Sequence, residues 1–196
     1  MSEEVLAKTI LPLVKRLTTE AMTLLISALF GALFVLNQVA SATEAPRNFA
    51  IHETPKSLPD IRFEDGDGRS KTLADFSDKI VLLNIWATWC ISCRKEMPTL
   101  DRLQTELGGA DFEIVALSID RAGPDAVKKF YIEIGIAHLA LYIDASSEVM
   151  FALGVVGLPT TLLIDREGRE IGRLIGPAEW DTPEMVAFIR RHIITN

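Results

Sequence analysis

The sequence predicts an α/β domain with a mixed central sheet and helices on both faces. Three observations predict it. Residues 79–85 (KIVLLNI) and 112–119 (FEIVALSI) are continuous apolar, β-branched runs, the mark of strands covered on both faces. Helical spacing follows each run, at Met97, Leu100, Leu103 and Leu107 after the first and over residues 124–134 after the second. The chain then closes on a hairpin and a helix, which turns an alternating strand-helix order into a mixed sheet. A chain of 196 residues, 48% hydrophobic and 24% charged, carries a globular core rather than a disordered or collagen-like one. Its net charge of -7 excludes a nucleic-acid binder, which needs a basic face.

The elements are justified in order. Residues 1–20 hold Lys8, Lys15 and Arg16 against Glu3, Glu4 and Glu20. An uncharged apolar run follows over residues 21–36, then Asn37, Gln38 and the small-residue stretch 39–42 (VASA). A basic region, an apolar region and an A-x-A site describe a secretory signal peptide. The alternative is a retained anchor, since residues 21–42 reach the roughly 20 needed for a span if Asn37 and Gln38 sit at the interface. Both readings export residues 43–196 and leave Lys15 and Arg16 inside. Membrane association then runs only through residues 21–42. Residues 43–59 contain Pro46, Pro55 and Pro59 without apolar periodicity, and so predict a linker; residues 60–196 form the folded domain.

Within that domain residues 61–63 predict a short strand and Asp65-Gly66-Asp67-Gly68 a hairpin turn. A helix begins near Cys93 and stops at Gly108-Gly109. Pro124 occupies the permitted first turn of the next helix. Residues 139–143 predict a third strand and 146–153 a short helix. Residues 160–164 and 170–175, joined at Glu167-Gly168, predict the hairpin, and 182–194 the closing helix with Thr182 as N-cap.

The chemistry lies in residues 86–93 (WATWCISC), between a strand and a helix. At i and i+3 on a helix start, Cβ atoms lie about 5–6 Å apart or less. A disulfide tolerates Cα separations of about 4.4–6.8 Å, so Cys90 and Cys93 can open and close with little backbone movement. A thiol at a helix N-terminus meets free N–H groups and the macrodipole. A term of up to about 2 kcal/mol takes a thiol pKa from about 8.5 to about 7. Cys90 is therefore the candidate attacking thiol and Cys93, one turn inside, the resolving thiol. Competing readings are a structural disulfide and half of a zinc site. A loop this short removes little chain entropy. Zinc needs further ligands, and His52, His138 and His192 have no ligand spacing.

The WATWCxxC run after KIVLLNI resembles the thioredoxin superfamily, most closely its TlpA/ResA-like branch, over residues 58–191. The DGDG hairpin with residues 71–76, the Trp-Cys motif and GVVGLPTT (residues 154–161) carry the match. The resemblance implies a thioredoxin-like fold, a central mixed β-sheet flanked by helices with an N-terminal β-hairpin extension. It implies an extracytoplasmic, periplasmic thiol-disulfide oxidoreductase without cofactor, a reductase of protein disulfides using the Cys90-Cys93 pair. Its implied partners are disulfide-bearing substrates such as apocytochrome c in cytochrome c maturation, and a DsbD/CcdA-type membrane electron donor.

Pro159 matches the superfamily's cis-proline, where the sequence alone leaves cis and trans even. The Leu158 backbone would then pair with an extended substrate segment. Pro98 matches the helix-kinking proline. Trp86 and Trp89 match the family and favour packing over chemistry; Trp89, beside Cys90, joins Leu158 and Pro159 as a candidate substrate contact. CxxCxxExP, Cys90 to Pro98, resembles the reductive pattern in which Glu96 shapes the thiol pKa values; the alternative is a solvated first-turn acid. Asn84 stands where cytosolic thioredoxins carry a buried proton-accepting Asp, and Asn cannot do that work, which leaves Glu96 as the local candidate. Arg94 and Lys95 favour the thiolates or are solvated helix charges. A Sco-type copper chaperone needs CxxxC and a downstream His, for which His138 is poorly placed. A peroxiredoxin needs a Pro-x-x-x-Thr/Ser-x-x run before its Cys, absent here.

Overall fold

The two apolar runs, each shifted or trimmed by one residue, become the middle of one sheet. The computed structural model describes residues 49–195; the targeting segment assigned to residues 1–42 lies outside them. Among the described residues the strands are β1 (Phe49–Ser57), β2 (Phe63–Asp65), β3 (Ser70–Lys71), β4 (Ile80–Trp86), β5 (Phe112–Ser118), β6 (Tyr142–Ile143), β7 (Thr160–Ile164) and β8 (Arg169–Ile175). The helices are α1 (Ile91–Leu107), α2 (Pro124–Ile134), α3 (Glu148–Ala152) and α4 (Pro183–Thr195), with a 3-10 turn at Leu73–Phe76. The strand order is β1-β8-β7-β4-β5-β6-β2-β3.

β4 is parallel to β5, from Ile80↔Phe112 to Trp86↔Ser118, and antiparallel to β7, from Val81↔Ile164 to Ile85↔Thr160. Every residue of β4 and of β7 is buried, as a central strand under helices on two faces requires. Asn84 is the polar exception in β4, with no exposed surface. α1 buries Cys93, Glu96, Met97, Leu100 and Leu103, a stripe at helical spacing. α2 brings Phe130 and Tyr131 against Trp86, the Tyr131 ring stacking at 6.0 Å.

Both hairpins use one device. Asp65 Oδ1 accepts the backbone N–H groups of Asp67 and Arg69, and Asp165 Oδ1 those of Glu167 and Arg169. Gly68 and Gly168 then turn at φ 79° and 77°, where a Cβ would be strained.

Three expectations need correction. Residues 49–57 are not a linker but edge strand β1, antiparallel to β8 from Phe49↔Leu174 to Ser57↔Arg169. The domain thus starts before residue 60. The strand lacks apolar periodicity because backbone pairing and one anchor hold it. Phe49 packs on Phe188 at 5.1 Å and edge-on to Trp180 at 6.5 Å. Pro55 offers no ladder donor, and the register shifts between Ile51 and Lys56. The strand expected at 61–63 begins at Phe63 instead. The strand expected at 139–143 shrinks to β6, because the N–H groups of Ala137, His138 and Leu139 all donate to Asp101 Oδ1, at 3.2, 2.7 and 3.0 Å, instead of to a ladder.

β1 crosses β8 closely at Gly172. A Cβ there would meet Ile51 Cδ1 at 2.7 Å, Phe49 Cε1 at 2.9 Å and the Ala50 carbonyl oxygen at 2.9 Å. The carbonyl cannot move without breaking the ladder. Gly172→Ala should therefore cost about 1–3 kcal/mol in urea unfolding. An unchanged midpoint would mean that β1 does not dock in solution.

Candidate active site

The redox loop is built where β4 ends. The chain turns at Ala87, whose carbonyl accepts the Cys90 N–H at 3.1 Å, and α1 begins at Ile91 with Cys90 as its N-cap. Cys90 has extended dihedrals, φ -81° and ψ 109°, and its Sγ accepts the Cys93 N–H at 3.2 Å. The sulfur thus takes the place of a capping oxygen, on the positive end of the helix. Cys90 and Cys93 form a disulfide with Cα atoms 5.3 Å apart. Cys90 is 8% exposed and Cys93 0%. The Ser92 hydroxyl lies 3.3 Å from Cys90 Sγ.

Glu96, one turn past Cys93, is not a solvated acid: it is 2% exposed. Its Oε1 accepts from Asn84 Nδ2 at 2.8 Å. Its Oε2 accepts from the Ala178 N–H at 3.1 Å and Trp180 Nε1 at 3.3 Å. Burial pushes the carboxyl up to about 7, against the opposing pull of those three donors. Asn84 Nδ2 also donates to Thr161 Oγ1 at 2.9 Å. Strand β4 and the segment before α4 therefore converge on one carboxylate, and strand β7 holds the Asn84 amide through Thr161.

The Leu158–Pro159 peptide is cis, immediately before β7. Leu158 lines an open cleft of about 770 Å³ together with Trp89, Cys90, Lys95, Met150 and Pro177. Trp89 is 66% exposed, which corrects its packing role; Trp86, fully buried, keeps that role. The cleft thus unites Cys90, Trp89 and Leu158, with Pro159 following, whereas Glu96 belongs to the buried interior. Among the described residues no group of three or more His, Cys, Asp or Glu is placed to hold a metal ion. His138 Nδ1 lies 3.0 Å from Asp101 Oδ2.

The family model described as Redoxin matches residues 53–189. The chain belongs to the Redoxin family. It is similar to the thiol-disulfide oxidoreductase ResA of Bacillus thuringiensis subsp. konkukian, 35% identical over 127 residues that cover 63% of this chain and 70% of that protein. ResA of Geobacillus thermodenitrificans is 37% identical over 126 residues, 62% of this chain and 71% of that one. Among solved structures, the thioredoxin domain of a thiol-disulfide oxidoreductase from Bacteroides vulgatus aligns with TM-score 0.60 at 25% identity, covering 72% of this chain and 99% of that one. A DsbF homologue from Corynebacterium diphtheriae shares the fold, with TM-score 0.61 at 24% identity over 76% of this chain and 96% of that one. This Redoxin protein is a thiol-disulfide oxidoreductase of the ResA type with a thioredoxin-like fold.

Sequence reasoning missed how this Redoxin domain holds its loop. Asp120, buried at the end of β5, accepts from Thr88 N at 2.8 Å, Thr88 Oγ1 at 2.6 Å and Ser118 Oγ at 2.6 Å. Arg94 is no solvated charge either. It donates to the Thr88 carbonyl at 3.2 Å, pairs with Glu133 at 2.9 Å and sits over the Phe130 ring at 4.6 Å. Lys95 alone of that pair stays exposed. Pro98 lies inside α1 and leaves the Arg94 carbonyl without its helical donor. No local signal marks this role of Asp120, since Thr88, the loop residue it holds, lies 32 residues away.

Proposed function

We propose that this protein is an exported reductase of protein disulfides. In the reduced form the Cys90 thiolate attacks a substrate disulfide, forming a mixed disulfide and releasing one substrate thiolate. The Cys93 thiol gives its proton to the Glu96 carboxylate and attacks Cys90 Sγ. The second substrate sulfur leaves by taking the proton back from Glu96 and the first takes one from solvent, so the substrate departs as a dithiol and the protein as the Cys90-Cys93 disulfide, two electrons having passed to substrate. Trp89, Leu158 and Pro159 contact the substrate, with the Leu158 backbone pairing to an extended segment.

The observation that carries this reading is the buried Glu96 carboxylate one turn after the resolving thiol. A carboxyl pushed up to about 7 takes and returns a proton near neutral pH. A membrane donor of the DsbD/CcdA type re-reduces the pair, and apocytochrome c in cytochrome c maturation is the substrate. Residues 1–42 export the chain as signal peptide or anchor, and the folded domain of residues 49–195 stands on the periplasmic side. Among the described residues no helix is long and apolar enough to cross a membrane.

The test is the equilibrium of the Cys90-Cys93 couple with glutathione, together with turnover of a disulfide-bonded CxxCH peptide. A potential below about -220 mV marks a reductant, and one near about -120 mV an oxidant and overturns the direction. A reporter active only outside the cytoplasm, fused after Asn196, should be active; an inactive fusion overturns export.

A further inference from the structure

The donors around Glu96 constrain where its proton can sit. Oε2 faces the Ala178 backbone N–H and the Trp180 indole N–H. Both groups only donate, so a proton on Oε2 would have no acceptor. Oε1 faces a single side chain, Asn84, the one neighbour of the three with both a donor and an acceptor. When Glu96 is ionised, Nδ2 must face it, and Nδ2 then spends its two hydrogens on Glu96 Oε1 at 2.8 Å and Thr161 Oγ1 at 2.9 Å.

The rest of the amide is unexplained by that state. Asn84 has no exposed surface, and its Oδ1 is buried with no hydrogen-bond partner among the described residues. A buried acceptor without a donor is costly. A half-turn of the amide exchanges Oδ1 with Nδ2 and leaves the Nδ2 hydrogens where Oδ1 now lies, so either state has one unpaired end and the carboxyl's charge decides between them. Oδ1 would then face Oε1 and Thr161 Oγ1. Both can donate to it, the first as a protonated carboxyl and the second because a hydroxyl donates or accepts as required.

We propose that Asn84 is the positioning residue for the proton carried by Glu96, its amide donating to the ionised carboxylate at Oε1 and, after a half-turn, accepting the proton on that same oxygen. The proposal rests on the reading of Glu96 as the proton carrier. It explains why an amide, incapable of titrating itself, stands at the centre of β4: it serves both protonation states of its neighbour. Among the described residues no charged side chain faces the carboxyl from the elements packed on it. β4 supplies Asn84 and β7 Thr161, both neutral, and the segment before α4 supplies Ala178 and Trp180, with Glu179 exposed. On α1 itself, Cys93 lies one turn earlier and Lys95 is exposed.

The first test uses the reduced wild-type protein. The Asn84 side-chain amide signals, followed by nitrogen-15 NMR, should titrate with the midpoint of the Glu96 carboxyl carbon. In Glu96→Gln they should not titrate, because a glutamine amide fixes the turned state by donating to Oδ1. Amide signals that stay constant through the Glu96 midpoint overturn the proposal. The second test is Asn84→Ala, which removes the stronger, charge-assisted bond to the ionised carboxylate and the weaker bond to the protonated one. The difference should raise the Glu96 midpoint by a fraction of a pH unit, up to about one. A midpoint unchanged in folded Asn84→Ala also overturns it; if that variant does not fold, the wild-type titration decides. The underlying reading fails separately, when Glu96→Gln leaves the pH-rate profile of disulfide reduction as it was.

Discussion

Replacing Cys93 by alanine is expected to leave a protein that attacks substrate disulfides and does not release them. The sulfur of Cys90 is the one at the cleft, 8% exposed against none for Cys93, and it accepts the Cys93 N–H as N-cap of α1. An attacking thiolate gains from that N–H and from the helix end, whereas a resolving thiol needs only to reach Cys90 Sγ. With Cys93 absent, the first exchange proceeds and the second does not. Turnover should fall to the uncatalysed background while a mixed disulfide accumulates, visible by intact-protein mass spectrometry. Cys90→Ala should lose turnover equally and form no adduct at Cys93, since no route for an incoming disulfide leads to a fully buried sulfur. Limiting iodoacetamide on the reduced wild type should label Cys90 first. Adducts on Cys93 in Cys90→Ala, or preferential labelling of Cys93, would reverse the roles.

How far the sequence reveals this site depends on how far apart the partners lie along the chain. β4, β5, α1 and α2 are legible because each carries its own burial signal in a run or a stripe. The Cys pair is legible because both sulfurs and the helix start lie within four residues. β1 is not, because one buried phenylalanine and a backbone ladder hold it, and neither leaves a period. The state of Glu96 is not legible either. Helical spacing puts it on the face of Cys93, but burial depends on Ala178 and Trp180, 82 and 84 residues downstream. Trp89 misleads for the opposite reason. Tryptophan is usually counted as core, and here the loop ahead of Cys90, held by Asp120 and Arg94 through Thr88, presents the ring to solvent.

Glu96→Gln should change both stability and rate, and the two effects share one cause. The folded protein raises this carboxyl from 4.5 to about 7, mainly by burial. Between those values the folded chain keeps a proton that the unfolded chain has lost. The stabilising contribution of the neutral carboxyl is therefore complete below about pH 4.5 and disappears as the pH rises through about 7. It amounts to about 3 kcal/mol across that window. Glutamine keeps the shape, accepts from Ala178 and Trp180 and does not titrate. Its unfolding free energy should thus lack this decline, and the gap between variant and wild type should move in the variant's favour from pH 4.5 to 7. A gap that stays constant over that range would mean that the carboxyl is ordinary. Reduction of a protein disulfide should respond in the other direction. A positioned acid-base group is worth about 10²–10⁴-fold, so the variant should reduce substrate at least about a hundredfold more slowly near pH 7. The limb of the pH-rate profile set by Glu96 should vanish with it. A stability curve that flattens without loss of rate would make Glu96 a buried acid of the core and leave the Cys93 proton to solvent.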